Sequence, residues 1–123
     1  MNTTFKSYRD LEVWQKAMDL AKKIYRITEK FPSAERFGLT NQLRRASVSL
    51  PSNLAEGHAR SGAGEFSRFI SISMGSLAEL ETQVILSKEL GYLDAVVSES
   101  LLGDMDVIGK MLRGLAKSIN RRR

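Results

Sequence analysis

An all-α fold, an up-down-up-down antiparallel four-helix bundle, is predicted by three features of this 123-residue sequence. Apolar residues recur at three- and four-residue spacing through four long segments. Helix-stopping groups, Phe31-Pro32-Ser33, Gly57 and Gly91, separate those segments. No stretch alternates apolar and polar residues as a half-buried strand does. Connections of about five to seven residues favour antiparallel neighbours, and the chain reads as one domain, long enough to bury a core of its own.

Helix one is expected over residues 7–30. Ser7-Tyr8-Arg9-Asp10 resembles a capping box with Asp in place of Glu. Leu11, Trp14, Met18, Ala21, Tyr25 and Thr28 form its apolar stripe, widened by Val13, Ala17, Leu20 and Ile24. Helix two is expected over 34–56, with Leu39, Leu43, Ala46, Leu50 and Leu54 as its seam and Gly57 as its C-terminal cap. Pro51 lies inside it and cannot donate to the Ser47 carbonyl, so a bend is expected there, with Ser47 and Ser49 relieving freed backbone groups. Residues 58–64 read as a loop that includes His58.

Helix three is expected over 65–90, closed by Gly91, and is the most apolar of the four. Phe66, Ile70, Met74, Leu77, Val84 and Ile85 share one half of it at about 100° per residue, with Glu81 aimed into the centre of that half. Such a carboxylate is costly unless it is paired, so either it has a specific donor or the helix serves a second interface. Asn53 on helix two is the nearest candidate donor, and Glu56 and Arg60 are placed to tie the corner between helices two and three. Glu79 falls on the opposite side, between Ile72 and Leu86. That second apolar pair, with Gly75 beside it, is surplus to one bundle core and marks Ile72, Gly75 and Leu86 as a self-association surface. Helix four is expected over 94–120, with Asp94 as N-cap and a single stripe of Val97, Leu101, Met105, Ile108, Leu112, Leu115 and Ile119.

Composition narrows the chemistry. Without cysteine there are no disulfides, thiolate metal sites or thiol catalysis. One histidine and no Glu-x-x-His pair argue against a di-iron bundle. Neither a G-x-S-x-G elbow nor a glycine-rich loop after a strand is present. Glu79 and Glu81, on opposite sides of one helix, cannot act on a single bond. No enzyme activity, cofactor or metal is expected. No apolar run approaches the roughly 18 residues of a membrane span, and the N-terminus lacks a signal-peptide core, so the protein is read as cytoplasmic and off the membrane.

The net charge is +5 and unevenly spread. Residues 1–61 hold 11 Lys/Arg against 6 Asp/Glu, whereas 110–123 hold six bases and no acid. Three basic faces follow: Lys16, Lys22, Lys23, Arg26 and Lys30 on helix one; Arg44 and Arg45 on helix two; Lys110, Arg113, Lys117, Arg121, Arg122 and Arg123 on helix four. Such faces would meet phosphate, giving weak sequence preference and strong salt dependence, or would simply be solvated. Few exposed aromatics are expected, so base stacking is not indicated.

The motifs Leu50-Pro51-Ser52-Asn53-Leu54-Ala55-Glu56-Gly57, Gly64-Glu65-Phe66, Gly75 to Gln83 and Leu90-Gly91-Tyr92-Leu93, with Tyr8 to Trp14 at the start, occur in that order. Over residues 8–120 the chain resembles the four-helix bundle family of 23S rRNA intervening sequence proteins. The resemblance implies a small cytoplasmic bacterial protein. A related branch, the accessory variability proteins of diversity-generating retroelements, implies a homopentamer that binds nucleic acid beside a reverse transcriptase. The functional expectation is therefore a non-enzymatic homo-oligomer, pentameric by that resemblance, binding RNA or DNA through its basic faces. An oligomeric protein-interaction scaffold is the alternative.

Overall fold

A computed structural model of the chain describes residues 7–60 and 62–121. Its helices are α1 (Glu12–Thr28), α2 (Leu39–Ala59), α3 (Ala63–Glu89) and α4 (Ala95–Arg121). They pack in a ring, α1 on α2, α2 on α3, α3 on α4 and α4 back on α1, with no diagonal packing among the described residues. With only residues 60–62 and 90–94 between successive long helices, the chain must reverse at each end, as an up-down-up-down bundle does.

The start of α1 differs from expectation. The capping box forms: Ser7 Oγ accepts from the Arg9 amide at 3.1 Å and Asp10 Oδ2 from the Ser7 amide at 3.3 Å. It opens only a 3-10 turn, Tyr8–Asp10, because Leu11 is extended and drops into the core at 3% exposure. The helix begins after it. Its buried face is Val13, Ala17, Leu20, Ala21, Ile24 and Thr28, so the residues expected to widen the stripe are its centre. Trp14, Met18 and Tyr25 fall at its edge.

Helix α2 starts at Leu39, five residues later than expected. Residues 33–35 form a separate 3-10 turn, and Glu35 supplies a cap that the sequence pattern does not reveal. One oxygen of Glu35 accepts from the Leu39 amide at 2.9 Å; the other accepts from the Tyr92 hydroxyl at 2.9 Å. Gly38 permits this, since a Cβ there would lie 2.6 Å from Glu35 Oε1. The Tyr92 ring also packs on Phe31, 5.4 Å between centroids, so the α1–α2 connection is fastened to the α3–α4 turn.

Those bonds make the corner pH-sensitive from both sides. The Leu39 amide first, then the Tyr92 hydroxyl, hold the Glu35 carboxyl below its ordinary value of 4.5. The Glu35 carboxylate holds the Tyr92 hydroxyl above its ordinary 10.0. A depressed carboxyl contributes stability above its unfolded pKa and loses it as pH falls through the folded one; a raised phenol loses its contribution as pH climbs past the folded value. The corner is strongest between those limits. Tyr92→Phe is expected to lower the melting temperature at pH 7 and to reduce the further loss between pH 7 and pH 3, read by circular dichroism.

The expected seam of α2, Leu39, Leu43, Ala46, Leu50 and Leu54, is buried. The helix runs through Pro51 to Ala59. Around the proline, side chains serve backbone carbonyls: Ser73 Oγ donates to Leu50 O at 3.2 Å, Asn53 Nδ2 to Ser49 O at 2.8 Å and Ser47 Oγ to Arg44 O at 2.8 Å. Gly57 does not cap the helix. It lies within α2 and faces α3, where a Cβ would come 2.5 Å from Phe69 Cβ. His58 is likewise in the last turn rather than a loop, edge-on to Phe66 at 5.6 Å. Ser73 and Ser76 are also buried and bond to α2, Ser73 to Leu50 O and Ser76 Oγ with Ser49 Oγ at 2.9 Å, so small residues line part of the α2/α3 contact.

Helix α3 ends as expected. Gly91 has φ 83°, its amide donates to Lys88 O at 2.9 Å, and the Tyr92 amide to Ser87 O at 2.9 Å, the two bonds of a Schellman motif. Asp94 caps α4 through the Val97 amide at 2.8 Å. The α4 stripe packs as read, with Leu101, Met105, Ile108, Leu112 and Ile119 fully in the core. By length and composition α3 could cross a membrane, contrary to the expectation that no stretch could; much of that window is buried within the bundle.

Candidate nucleic-acid interface

The outward face of α1 gathers four of the expected basic residues. Lys16, Lys22, Lys23 and Arg26 line a groove of about 520 Å³ between α1 and α4, closed from the α4 side by Asp104 and Val107. Their spacing places them there: with Val13, Ala17, Leu20 and Ile24 turned inward, the positions between them fall outward. Lys23 Nζ is paired with Asp104 at 2.6 Å, and Lys22 stands 3.9 Å from Asp19. The Lys22 pair is mostly exposed, weak and open to exchange for a phosphate, whereas the shorter Lys23 pair is half-buried. Among the described residues, Lys16, Arg26 and Lys30 have no carboxylate within 4.0 Å.

Helix α2 contributes less than its sequence suggests. Arg44 donates from Nε to Thr28 Oγ1 at 2.9 Å and from Nη2 to Tyr25 O at 3.2 Å, and its guanidinium lies 4.7 Å over the Tyr25 ring. It therefore closes the C-terminal end of α1, where carbonyls lack helical partners and a cation is favoured. Arg45 is exposed and shares a shallow depression with Asn41, Val48 and Tyr25. The bases of α4 do not line the α1/α4 groove. Lys110 pairs with Asp106 at 3.3 Å, Arg113 faces the α3 side, and Lys117 is exposed. Arg122, Arg123 and the side chain of Arg121 lie outside the described residues.

On its other flank α1 borders a second groove, of about 620 Å³, against α2. Tyr8, Trp14, Met18 and Tyr25 line one wall; Val48, Pro51 and Ala55 line the other. Tyr8 meets Trp14 edge-to-face at 5.3 Å. Lys22 and Arg26 border both grooves. Exposed aromatics are few, as expected, being Tyr25 and Phe37 among the described residues, but Tyr25 and the half-buried Trp14, which the sequence assigned to the core, sit beside the basic face.

The structural residues divide differently. Glu81 is only partly buried and does not meet α2: it lines a small groove between α3 and α4 with Met74, Met105, Asp106 and Arg113. Asn53, its expected donor, bonds instead to Ser49, both to the carbonyl at 2.8 Å and to the hydroxyl at 2.9 Å. The buried α3 face keeps Ile70, Leu77 and Val84 of the expected stripe but turns toward Phe69, Ser73, Ser76 and Leu80, which leaves Ile85 exposed and moves Glu81 to the edge. Glu79 is exposed. Glu56 ties the corner as expected, 2.8 Å from Arg60, which also reaches Glu65 at 3.4 Å. Hydrogen bonding to Glu56 first, with the Glu56 and Glu65 charges adding to it, holds the Arg60 guanidinium above its ordinary value.

Ile72 and Leu86 are 38% and 44% exposed and Gly75 faces open space, all on the outward side of α3. No cluster of three or more metal-ligating side chains occurs among the described residues.

A sequence model of the family described as "23S rRNA-intervening sequence protein" matches residues 9–114. Among solved structures, the chain is similar to a protein of unknown function from the S23 ribosomal protein family of Bacteroides thetaiotaomicron. The two share 22% identity over 85% of this chain and 95% of that one, with a TM-score of 0.79. At that identity the likeness concerns the fold. No curated protein matches the chain.

Proposed function

The chain belongs to the 23S rRNA-intervening sequence protein family, and from that premise we propose a non-enzymatic, cytoplasmic, homo-oligomeric bundle that binds nucleic acid through the outer face of α1. The observation that carries this reading is the convergence of Lys16, Lys22, Lys23 and Arg26 on one groove, with Lys30 following along the same stretch of chain. Side chains of this kind contact phosphate, so binding is weakly sequence-specific and driven by counterion release. The family's name makes RNA the first nucleic acid to test. Ile72, Gly75 and Leu86 on the outer face of α3 are the proposed contact between copies; a pentamer is the proposed assembly.

A mobility-shift titration at two salt concentrations tests the reading. If four cations each meet one phosphate, the logarithm of affinity falls against that of salt with a slope of about −3 on single strands and about −4 on duplex DNA. No binding at low salt removes the proposal. The same exposed α3 face supports the second reading, a scaffold that docks a partner protein, for which affinity to nucleic acid is absent and a stable protein complex is recovered.

A further inference from the structure

The two grooves beside α1 differ in chemistry. The α1/α4 groove is lined by charges of both signs. Along the α1/α2 groove, rings and aliphatic side chains form the walls, the charged lining residues are Lys22 and Arg26, and no carboxylate is among the described residues there. Its volume of about 620 Å³ is within the range of small-molecule sites, about 300–1,000 Å³. Tyr25 is 42% exposed although Arg44 covers one face of its ring. Tyr8 and Trp14 meet at an interplanar angle of 66°, so they form a corner and do not stack on each other. An apolar ring edged by cations suits a flat aromatic group that carries a negative charge a short distance away.

We propose that this groove receives an unstacked base of single-stranded nucleic acid, with its flanking phosphates on Lys22 and Arg26. The inference rests on the nucleic-acid reading above and narrows it to single strands. A duplex presents the same phosphates but keeps its bases paired and stacked, so it can use the cations and not the rings. Charge complementarity selects this occupant: phosphates accompany every base, and the charges lining the groove among the described residues are positive. Aromatic stacking of this kind takes any base, in keeping with weak sequence preference.

Trp14 is the only tryptophan in the chain, so its emission reports on the groove in the intact protein. The probes are a short oligoribonucleotide, its duplex, and an abasic strand of the same length. The single strand is expected to quench Trp14 and to bind about tenfold or more tightly than the abasic strand, the worth of one stacked base. Tyr25→Ser is expected to remove that preference. Val48→Asp, at an exposed position on the facing wall, places a carboxylate in the groove and is expected to do the same without disturbing the core. If the abasic strand binds as tightly and Trp14 emission does not move, the base site is overturned while phosphate binding stands. If nothing binds at low salt, both fail. A Trp14 response to an acidic amphipathic peptide but not to the strand overturns the base site in favour of a protein partner. Trp14 emission that shifts together with molecular mass on dilution overturns it in favour of a second copy.

Discussion

Reversing the charge at Lys22 and Arg26 together, K22E/R26E, is expected to lower nucleic-acid affinity about a hundredfold or more at low salt. These two side chains border both grooves beside α1, so the reversal takes cations away from the phosphates whichever groove the strand follows. The salt slope should shrink as well, by about 0.7 for each phosphate of a single strand that is no longer neutralised. Folding should be unaffected. Arg26 is exposed, and among the described residues the carboxylate near Lys22 is Asp19, 3.9 Å away, with both side chains more than half exposed, an arrangement that contributes little to stability. Circular dichroism and the titration slope read the two effects separately. An unchanged affinity would place binding elsewhere, on α4 first.

The largest loss of stability is expected from Gly57→Val. A Cβ at this position meets Phe69 Cβ at 2.5 Å and both Phe66 Cδ1 and Phe69 Cγ at 3.3 Å. Phe69 Cβ is anchored to the α3 backbone and cannot swing away, so α2 and α3 must part along the most extensive interface of the bundle. Overpacking of this kind costs about 3 kcal/mol or more, a drop of about 10 °C in melting temperature for a chain of this size. Gly103→Ala is the control. Gly103 is also helical, but nothing lies within 4 Å of its added Cβ, so the change should be neutral or should raise stability by up to about 1 kcal/mol through helix propensity. Equal melting temperatures for the two variants would show that α2 and α3 are further apart than this.

What the sequence revealed was what neighbouring residues decide. The Ser7–Asp10 box, the Asp94 cap and the Gly91 turn are each closed within a few residues, and each forms. The seams of α2 and α4 were legible because each is a narrow stripe with polar flanks. Helix α3 is apolar nearly all round, so its periodicity does not fix which side is inward, and a turn of the buried face carried Glu81 from the expected centre to the edge. Glu35 as a cap depends on Tyr92, 57 residues away, and no local pattern announces that. Gly57 read as a helix stop because glycine commonly is one; only the approach of Phe69 shows its other use. In α1 the stripe was wider than the bundle requires. That excess placed Trp14 and Tyr25 in the core by pattern, whereas the folded chain puts them in an open groove.

The small residues between α2 and α3 also bear on how such a chain can change over generations. Ala46 and Gly57 on one helix and Ser73 and Ser76 on the other are buried; all four take up little space, and the two serines also hydrogen-bond to α2. Exchanges between alanine and serine preserve the spacing of the helices, at the loss of a hydrogen bond where Ser73 or Ser76 is replaced, and Gly57 has no room for a side chain. A larger group, however apolar, forces the helices apart. The packing here sets an upper limit of volume, with the hydrogen bonds of Ser73 and Ser76 as the further demand. Sequence can then change within that limit while the backbone stays in place.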